Sequence, residues 1–217
     1  MFHKTKILIT AGPTYEPIDP VRFIGNRSSG KMGFAIAEVL AEKGASVTLV
    51  SGPVSIKPIH KNINLIKVET AAEMYEACLA QMKLMDIGIY AAAVSDYTPI
   101  TNSLHKIKKE DEVLTLELRK TKDILKSMGE QKMQHQILVG FALETENEEA
   151  NAIEKVKKKN LDFIVLNSLR DKGAGFATDT NKITIIDKYN NITKFELKEK
   201  RKVAEDIIEY LTKFIDA

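Results

Sequence analysis

The chain is poor in the residues that several classes of protein require. It has a single cysteine, Cys78, in 217 residues, which excludes a disulfide framework and a metal site built from several cysteines. This composition fits a reducing compartment, and we expect a cytoplasmic protein. The first apolar run is too short for a secretory signal, and no stretch approaches a membrane span. A formal net charge of only +2 gives no reason to expect nucleic acid as a partner.

Histidine is also scarce. The four histidines, His3, His60, His105 and His135, are scattered without the spacing that metal ligands show. We therefore predict no metal site made by the protein alone.

What the chain does contain is a regular alternation of apolar segments and helical patterns. Strands are predicted at residues 6–11, 46–51, 63–68, 86–94, 113–118, 136–143 and 163–167, and helices at 30–43, 122–133, 148–159 and 200–215. A further helix follows the capping box of Thr70 and Glu73. A glycine-rich loop at 172–180 precedes an edge pair at 182–187 and 193–197. This order predicts an α/β fold in one domain spanning residues 1–217: a Rossmann-like, doubly wound, mostly parallel sheet with an antiparallel edge hairpin.

The segment GNRSSGKM, which begins at Gly25, matches a phosphate-binding P-loop at all but its last position. A P-loop has Ser or Thr there to bind Mg²⁺, whereas this chain has Met32. The glycines of a P-loop also join a strand directly to a helix, and here a long proline-rich segment separates the two predicted elements. Both observations argue against a P-loop.

A short-chain dehydrogenase is the second interpretation of the same glycines. It fails at three points: the glycines do not follow the first strand, the second strand ends in Ser51-Gly52-Pro53 without an acidic residue for the ribose, and no tyrosine is followed by lysine four positions later.

The start of the predicted helix still favours an anion. Ser28, Ser29 and Gly30 lie where free backbone N–H groups and the helix dipole favour negative charge, by a few tenths to about 2 kcal/mol per charge. The alternative is that the serines only cap the helix.

Several long segments occur in an order that resembles one family. They are ITAGPTYEPIDPVRFIGNRSSGKMGFAIA, AAAVSDY, KIKK, LVGFALETEN, and NSL followed by GAGFATDTNKITII. Together they resemble the phosphopantothenate–cysteine ligases, which form the second half of a bifunctional bacterial flavoprotein of coenzyme A biosynthesis. The flavin-binding decarboxylase half has no counterpart, so the chain is either a separate ligase or a domain taken from a longer enzyme.

The resemblance implies a two-step ligation. The carboxylate of 4′-phosphopantothenate attacks the α-phosphate of CTP, which gives an acyl-cytidylate and pyrophosphate, and the amine of L-cysteine then displaces CMP. Mg²⁺ is expected to arrive with the triphosphate. CTP is the co-substrate of the bacterial members, whereas eukaryotic relatives use ATP.

The resemblance also assigns residues to this chemistry. Asn26 and Arg22 are implied at the acyl-cytidylate, and Lys106, the first lysine of KIKK, is implied as the catalytic lysine. No role is assigned to Lys108 or Lys109, since lysines in such a charged run are usually solvated.

Nucleotide contacts are implied at two kinds of position, the predicted strand ends and the predicted helix starts. The residues are Ser28, Ser29, Gly30, Tyr90, Ala91, Ala92, Asp96, Lys106, Lys122, Asp123, Ile124, Leu125, Phe141, Lys155 and Lys159. The chain departs from the family at Lys122, where proline is frequent, so backbone contacts are expected there. Periodicity alone leaves other roles open, since Phe141 also fits a core position and Lys155 and Lys159 fit a solvated helix face.

The implied partners are the three substrates, a second copy of the chain, and a decarboxylase fused to it or acting with it. The loop at 95–112 and the hairpin at 182–197 are the candidate dimer contacts. A non-catalytic ligand-binding module with the same fold remains the competing interpretation.

Overall fold

The computed structural model describes residues 2–108, 112–168 and 178–215. The elements, in chain order, are β1 (Lys6–Ala11), β2 (Tyr15–Pro17), β3 (Phe23–Gly25), α1 (Lys31–Glu42), β4 (Ser46–Ser51), β5 (Ile63–Lys67), α2 (Ala71–Met82), β6 (Ile87–Tyr90), β7 (Tyr97–Pro99), β8 (Leu118–Lys120), α3 (Ile124–Glu130), β9 (Ile137–Glu144), α4 (Glu148–Lys158), β10 (Phe163–Ser168), β11 (Thr180–Asn181), β12 (Ile183–Asp187), β13 (Ile192–Lys194), β14 (Lys198–Glu199) and α5 (Lys200–Ile215).

Eight strands form the main sheet, in the order β13-β12-β10-β9-β6-β1-β4-β5. The six from β10 to β5 are parallel, and β12 and β13 add an antiparallel edge. The predicted fold class is therefore confirmed. From β1 the chain continues to β4 on one side, whereas β6 lies on the other side, so the strand order reverses between β1 and β6. In open α/β sheets this reversal opens a crevice at the carboxyl ends of the strands.

The core has two layers because successive side chains of a strand point to opposite faces of the sheet. Ile7 and Ile9 of β1 pack with α1 and α5 on one face, and Leu8 packs with α2, α3 and α4 on the other. Cys78 is fully buried in the second layer, as predicted. In the described part of the chain, no helix has the length and apolar composition that crossing a bilayer requires.

Local contacts cap the start of α2 and the end of α4. Thr70 and Glu73 form the predicted capping box at the start of α2. Asn160 has a left-handed φ of 52° just after α4, where the N–H groups of Asn160 and Leu161 bond back to Lys157 and Val156.

Three predicted boundaries are wrong. The strand predicted at 86–94 ends at Tyr90, because the next residues bend over the end of β1, with Ala93 N–H donating to Gly12 O at 2.9 Å. The helix predicted at 122–133 runs from Ile124 to Glu130, since Asp123 is its N-cap. The edge strand predicted at 193–197 is β13, at residues 192–194.

The strand predicted at 113–118 is also wrong. Only its last residue, Leu118, belongs to a strand, and that strand, β8, pairs with β7 outside the main sheet. Val113 and Leu114 are exposed. Of the predicted loop at 172–180, residues 172–177 lie outside the described residues.

Candidate active site

A cleft opens at the carboxyl ends of β1, β6 and β9 and has two lobes. The turn lobe, of about 480 Å³, is bounded by the turn that precedes α3. The helix lobe, of about 380 Å³, is bounded by the N-terminus of α1. Ala92, Val94, Asp96 and Phe141 line both lobes, so the two are parts of one cleft. Its position is the one expected from the reversal of strand order.

The cleft brings together most of the residues that the sequence assigned to the nucleotide. The turn lobe contains Tyr90, Ala92, Asp96, Lys122, Asp123, Ile124, Leu125, Phe141 and Lys159. The helix lobe contains Asn26, Ser28, Ser29, Gly30, Ala91, Ala92, Asp96, Phe141 and Lys155. Arg22 and Lys106 line neither lobe.

The turn lobe has a preorganised wall at the start of α3. Asp123 caps this helix by accepting the N–H of Lys126 at 2.9 Å, and it also pairs with Lys159 at 2.8 Å. Burial acts to raise the pKa of Asp123, but the hydrogen bond from Lys159 and that from the Lys126 backbone outweigh burial and lower the pKa. The carboxylate is therefore ionised and holds the Lys159 ammonium at the cleft.

Lys122 and Tyr90 contribute to the turn lobe in a different way. The Lys122 ammonium lies 4.2 Å above the ring of Tyr75 and 3.5 Å from Glu76, so this side chain contacts α2. The Tyr90 hydroxyl points into the core and donates to the sulfur of Met82 at 3.4 Å. Burial raises the pKa of Tyr90, so this hydroxyl is not an acid at neutral pH. The polar ends of both side chains thus have partners within the protein.

In the helix lobe, a glycine occupies the N-cap position of α1. This residue is Gly30, with a left-handed φ of 75°, and its N–H donates to the hydroxyl of Ser28 at 3.3 Å. The Ser28 hydroxyl thus accepts the N–H of the N-cap residue itself, just before the first turn of α1.

The P-loop interpretation of these glycines is wrong. The β2–β3 hairpin lies between β1 and α1, so the glycines do not follow β1 directly. Met32 lines the helix lobe, and its sulfur lies 3.9 Å from the Asn181 amide nitrogen. A thioether occupies the position where a P-loop hydroxyl would bind Mg²⁺.

Asn26 links the segment before α1 to the segment that follows β6. Its amide nitrogen donates to Ala93 O at 3.0 Å and to Val94 O at 3.2 Å. These bonds use the donor end of the amide within the protein. The oxygen end is the group that remains to meet a ligand, and it can only accept hydrogen bonds.

Arg22 lies outside the cleft and forms a clamp with Asp19. The buried Asp19 carboxylate accepts the Arg22 guanidinium at 2.5 Å and the Ile107 N–H at 3.1 Å, and Arg22 also donates to Ile107 O at 3.3 Å. Burial acts to raise the pKa of Asp19, but hydrogen bonds from the backbone of Val21, Ile107 and Arg22 lower it to about 2. The clamp thus holds the residue that follows Lys106.

The cleft also contains residues that the sequence did not single out. Lys31, Asn167, Asn181 and Lys200 line the helix lobe. Both asparagines lie in motifs that carried the resemblance, and the Asn181 amide donates to the Asn167 side-chain oxygen at 3.0 Å. Lys200 gave no signal, because it lies in the charged run KEKRK, which is typical of a solvated surface.

The chain is thus an open α/β domain with a lysine-rich cleft at the switch point of its sheet, the class that binds nucleotides and other phosphorylated ligands. It belongs to the family described as the DNA/pantothenate metabolism flavoprotein C-terminal domain, whose model matches residues 2–215.

Individual relatives agree with this assignment. The Bacillus subtilis coenzyme A biosynthesis bifunctional protein CoaBC is 48% identical over 203 residues, which are 94% of this chain and 50% of that protein. A protein named cysteine/cysteine sulfinic acid decarboxylase, from an unknown prokaryotic organism, is 57% identical over 203 residues, 94% of this chain and 56% of that protein. The chain therefore spans about half the length of these curated relatives.

A solved structure matches the chain almost completely. The C-terminal domain of a CoaBC protein superposes with a TM-score of 0.84 at 40% identity, covering 99% of this chain and 97% of that one. The part of CoaBC to which this chain corresponds is thus its C-terminal domain.

Proposed function

We propose that the chain is a phosphopantothenate–cysteine ligase of coenzyme A biosynthesis, that it acts as one domain in the cytoplasm, and that it uses CTP. The observation that carries this proposal is the cleft of a CoaBC-type C-terminal domain, in which residues implied to contact nucleotide converge on both sides of Phe141. The name of the decarboxylase relative applies to a whole protein, and this chain corresponds to only 56% of its length.

The first half-reaction makes the carboxylate reactive. A carboxylate oxygen of 4′-phosphopantothenate bonds to the α-phosphorus of CTP, and pyrophosphate leaves. We assign the base and ribose to the turn lobe and the phosphates to the helix lobe, where the N-terminus of α1 and three lysines favour negative charge. Holding both reactants in one cleft supplies most of what this step needs.

The second half-reaction forms the amide. The amine of L-cysteine bonds to the acyl carbon, CMP leaves, and the amine loses a proton. Asn26 is positioned to hold the intermediate, with its side-chain oxygen as an acceptor for an N–H group. Lys106 stabilises phosphate charge from the segment that the Asp19–Arg22 clamp anchors at Ile107, so Arg22 acts through position rather than through contact.

Mg²⁺ fits this site as a companion of the nucleotide. Among the described residues, no group of three or more acidic, histidine or cysteine side chains forms a cage for a metal. Asp96 lines both lobes, and Mg²⁺ on a nucleotide commonly takes one or two carboxylates together with phosphate oxygens and water. Bound there, the ion would neutralise phosphate charge.

We also propose a homodimer. Exposed apolar side chains concentrate on the β2–β3 and β7–β8 hairpins and the segments next to them: Val21, Phe23, Tyr97, Ile100, Leu104, Val113, Leu114 and Leu118. Such a patch on a water-soluble surface favours a self-complementary, two-fold contact. The hairpin at 182–197, the other contact expected from the sequence, exposes Tyr189, Ile192 and Leu197. Light scattering at micromolar concentration tests the dimer, and a monomer there would contradict it.

The activity test uses the purified chain with 4′-phosphopantothenate, L-cysteine, Mg²⁺ and either CTP or ATP. We expect pyrophosphate release that depends on phosphopantothenate, a product with the mass of phosphopantothenoylcysteine, and faster turnover with CTP. Equal turnover with ATP would contradict the choice of nucleotide.

Further measurements on the same purified chain separate the competing functions. Nucleotide binding without pyrophosphate release would favour a non-catalytic binding module. Release of CO₂ from cysteine without nucleotide would favour a decarboxylase, in keeping with the name of one relative. NAD(P)H binding would revive the dehydrogenase interpretation.

A further inference from the structure

The helix lobe is rich in positive charge at the end away from the turn lobe. The described residues that line it include Lys31, Lys155 and Lys200, against one carboxylate, Asp96. Lys155 pairs with Glu144, which is not among the lining residues, and Lys31 pairs with Asp179. The Asp179 side chain is 84% exposed, so its hold on Lys31 is weakened by solvent.

Lys200 differs from the other two lysines because it is buried. The residue is only 7% exposed and begins α5, a helix of sixteen residues. Its ammonium donates to Thr178 O at 2.6 Å, and its backbone N–H donates to Asp179 O at 2.9 Å. Burial and the charge of Lys31 lower the pKa of Lys200, whereas Asp179 acts in the opposite direction. Lys200 is thus a buried ammonium near a second positive charge, and a bound anion would stabilise this arrangement.

We propose that Lys200 and Lys31 form an anion subsite at this end of the helix lobe and bind the oxygens of a phosphate group. The resemblance assigned neither residue a role. The subsite rests on the proposed function, which offers two sources of phosphate: the pyrophosphate that leaves CTP and the phosphate monoester of 4′-phosphopantothenate. When the phosphate binds, the Lys31 ammonium leaves Asp179 and pairs with the phosphate instead. Lys200 supplies a positive charge whose position does not need to change.

A purely structural role is the alternative for Lys200, since the same side chain fastens residues 178–179 to α5. Lys200→Gln retains an N–H donor for Thr178 O but removes the charge, and Lys200→Arg keeps the charge. Lys198→Gln is the matched control, because Lys198 lies two residues away, pairs with Asp206 at 2.7 Å and is not among the residues that line either lobe.

Calorimetric titrations with inorganic pyrophosphate and, separately, with 4′-phosphopantothenate test the subsite without turnover and without added Mg²⁺. We expect Lys200→Gln and Lys31→Gln each to weaken binding of one of these ligands by about ten- to a hundredfold, the range expected for a lost charged hydrogen bond. Lys200→Arg and Lys198→Gln should bind as the wild type does. Asp179→Asn should bind the same ligand more tightly, because a competing carboxylate is removed.

The ligand whose binding is weakened in the variants identifies the source of the phosphate. The proposal is overturned if wild-type protein binds neither ligand, if Lys200→Gln binds both normally, or if Lys198→Gln weakens binding equally. Circular dichroism checks that each variant folds. If Lys200→Gln does not fold, the binding measurements on Lys31→Gln alone test the proposal. The ligase assay on wild-type protein is separate, so an absent ligase activity with the expected binding pattern would remove the proposed function and leave the subsite.

Discussion

The close contact between α1 and β1 predicts that replacing a helical glycine with alanine destabilises this protein, although alanine usually stabilises a helix. Gly33 lies in the first turn of α1, and a Cβ built there would lie 2.6 Å from Ala11 Cβ, 3.1 Å from Thr10 O and 3.2 Å from Ala11 Cα. Carbon atoms prefer about 3.5–4.0 Å, and backbone atoms cannot rotate away as a flexible side chain can. The missing side chain of Gly33 is what allows the N-terminus of α1 to approach β1.

Two opposing effects set the magnitude for Gly33→Ala. Intrinsic helix propensity favours alanine over glycine by about 1 kcal/mol. Overpacking a tight contact costs about 1–3 kcal/mol, and the 2.6 Å contact places this case at the upper end of that range. We therefore expect Gly33→Ala to lower the free energy of unfolding by about 2 kcal/mol, where propensity alone predicts an increase.

The double variant Ala11→Gly/Gly33→Ala tests the cause. It removes the Cβ that makes the 2.6 Å contact, leaving Thr10 O at 3.1 Å as the nearest atom. A glycine in a strand costs about 0.5–1 kcal/mol, so a double variant that is more stable than Gly33→Ala alone would indicate coupling larger than this cost.

Equilibrium urea unfolding followed by circular dichroism is the suitable assay, because the chain has no tryptophan. Pyrophosphate affinity should fall with stability in Gly33→Ala, since the N-terminus of α1 is displaced from the helix lobe. A Gly33→Ala variant as stable as the wild type would refute the reasoning. So would a double variant whose loss of unfolding free energy equals or exceeds the sum of the losses of the two single variants.

Three further predictions concern buried charges and the clamp. Asp162→Ala should lower the free energy of unfolding by about 3–5 kcal/mol, because it leaves the Lys132 ammonium, whose side chain is only 11% exposed, without its carboxylate partner. In urea unfolding, the double variant Asp162→Ala/Lys132→Met should recover much of this loss. Asp19→Asn should lower the urea midpoint at pH 7. Because the folded pKa of Asp19, about 2, lies below an unfolded value of about 3.9, its stabilisation is complete above about pH 3.9 and is lost as the pH falls through about 2. An equal difference in midpoint between wild type and variant at pH 3 and at pH 7 would contradict this prediction. Lys106→Gln should reduce turnover about 10²–10³-fold in the pyrophosphate assay while Lys108→Gln stays near wild type, and equal losses would contradict the choice of lysine.

Local patterns predicted the elements of the main sheet well where a signal is carried by neighbouring residues. The capping box at Thr70 and the apolar strands at 6–11 and 46–51 depend on side chains a few positions apart, and all were found. The same patterns misled at 113–118, where Val113 and Leu114 have the composition of a buried strand but are exposed. Residues alone do not tell whether something else in the fold, or a second copy, covers them.

The candidate site shows the same division. The resemblance located the residues around Phe141 that the fold brings to one cleft, although they are far apart in sequence. Arg22 was assigned to the substrate by its motif, yet its guanidinium bonds to Asp19 and Ile107. A sequence motif identifies which residues matter together, whereas the direction of a long side chain depends on partners from distant segments.

By itself, the sequence determined the order of the main-sheet strands and of the helices, the parallel sheet, and the family to which the cleft belongs, because periodicity, capping and extended motifs are properties of neighbouring residues. Only the tertiary structure decided that Lys200, within a charged run, is buried beside Lys31, and that Gly33 is needed for contact with Ala11. The two lysines come from segments more than a hundred residues apart, and Gly33 meets Ala11 across the intervening β2–β3 hairpin, so no local pattern carries that information.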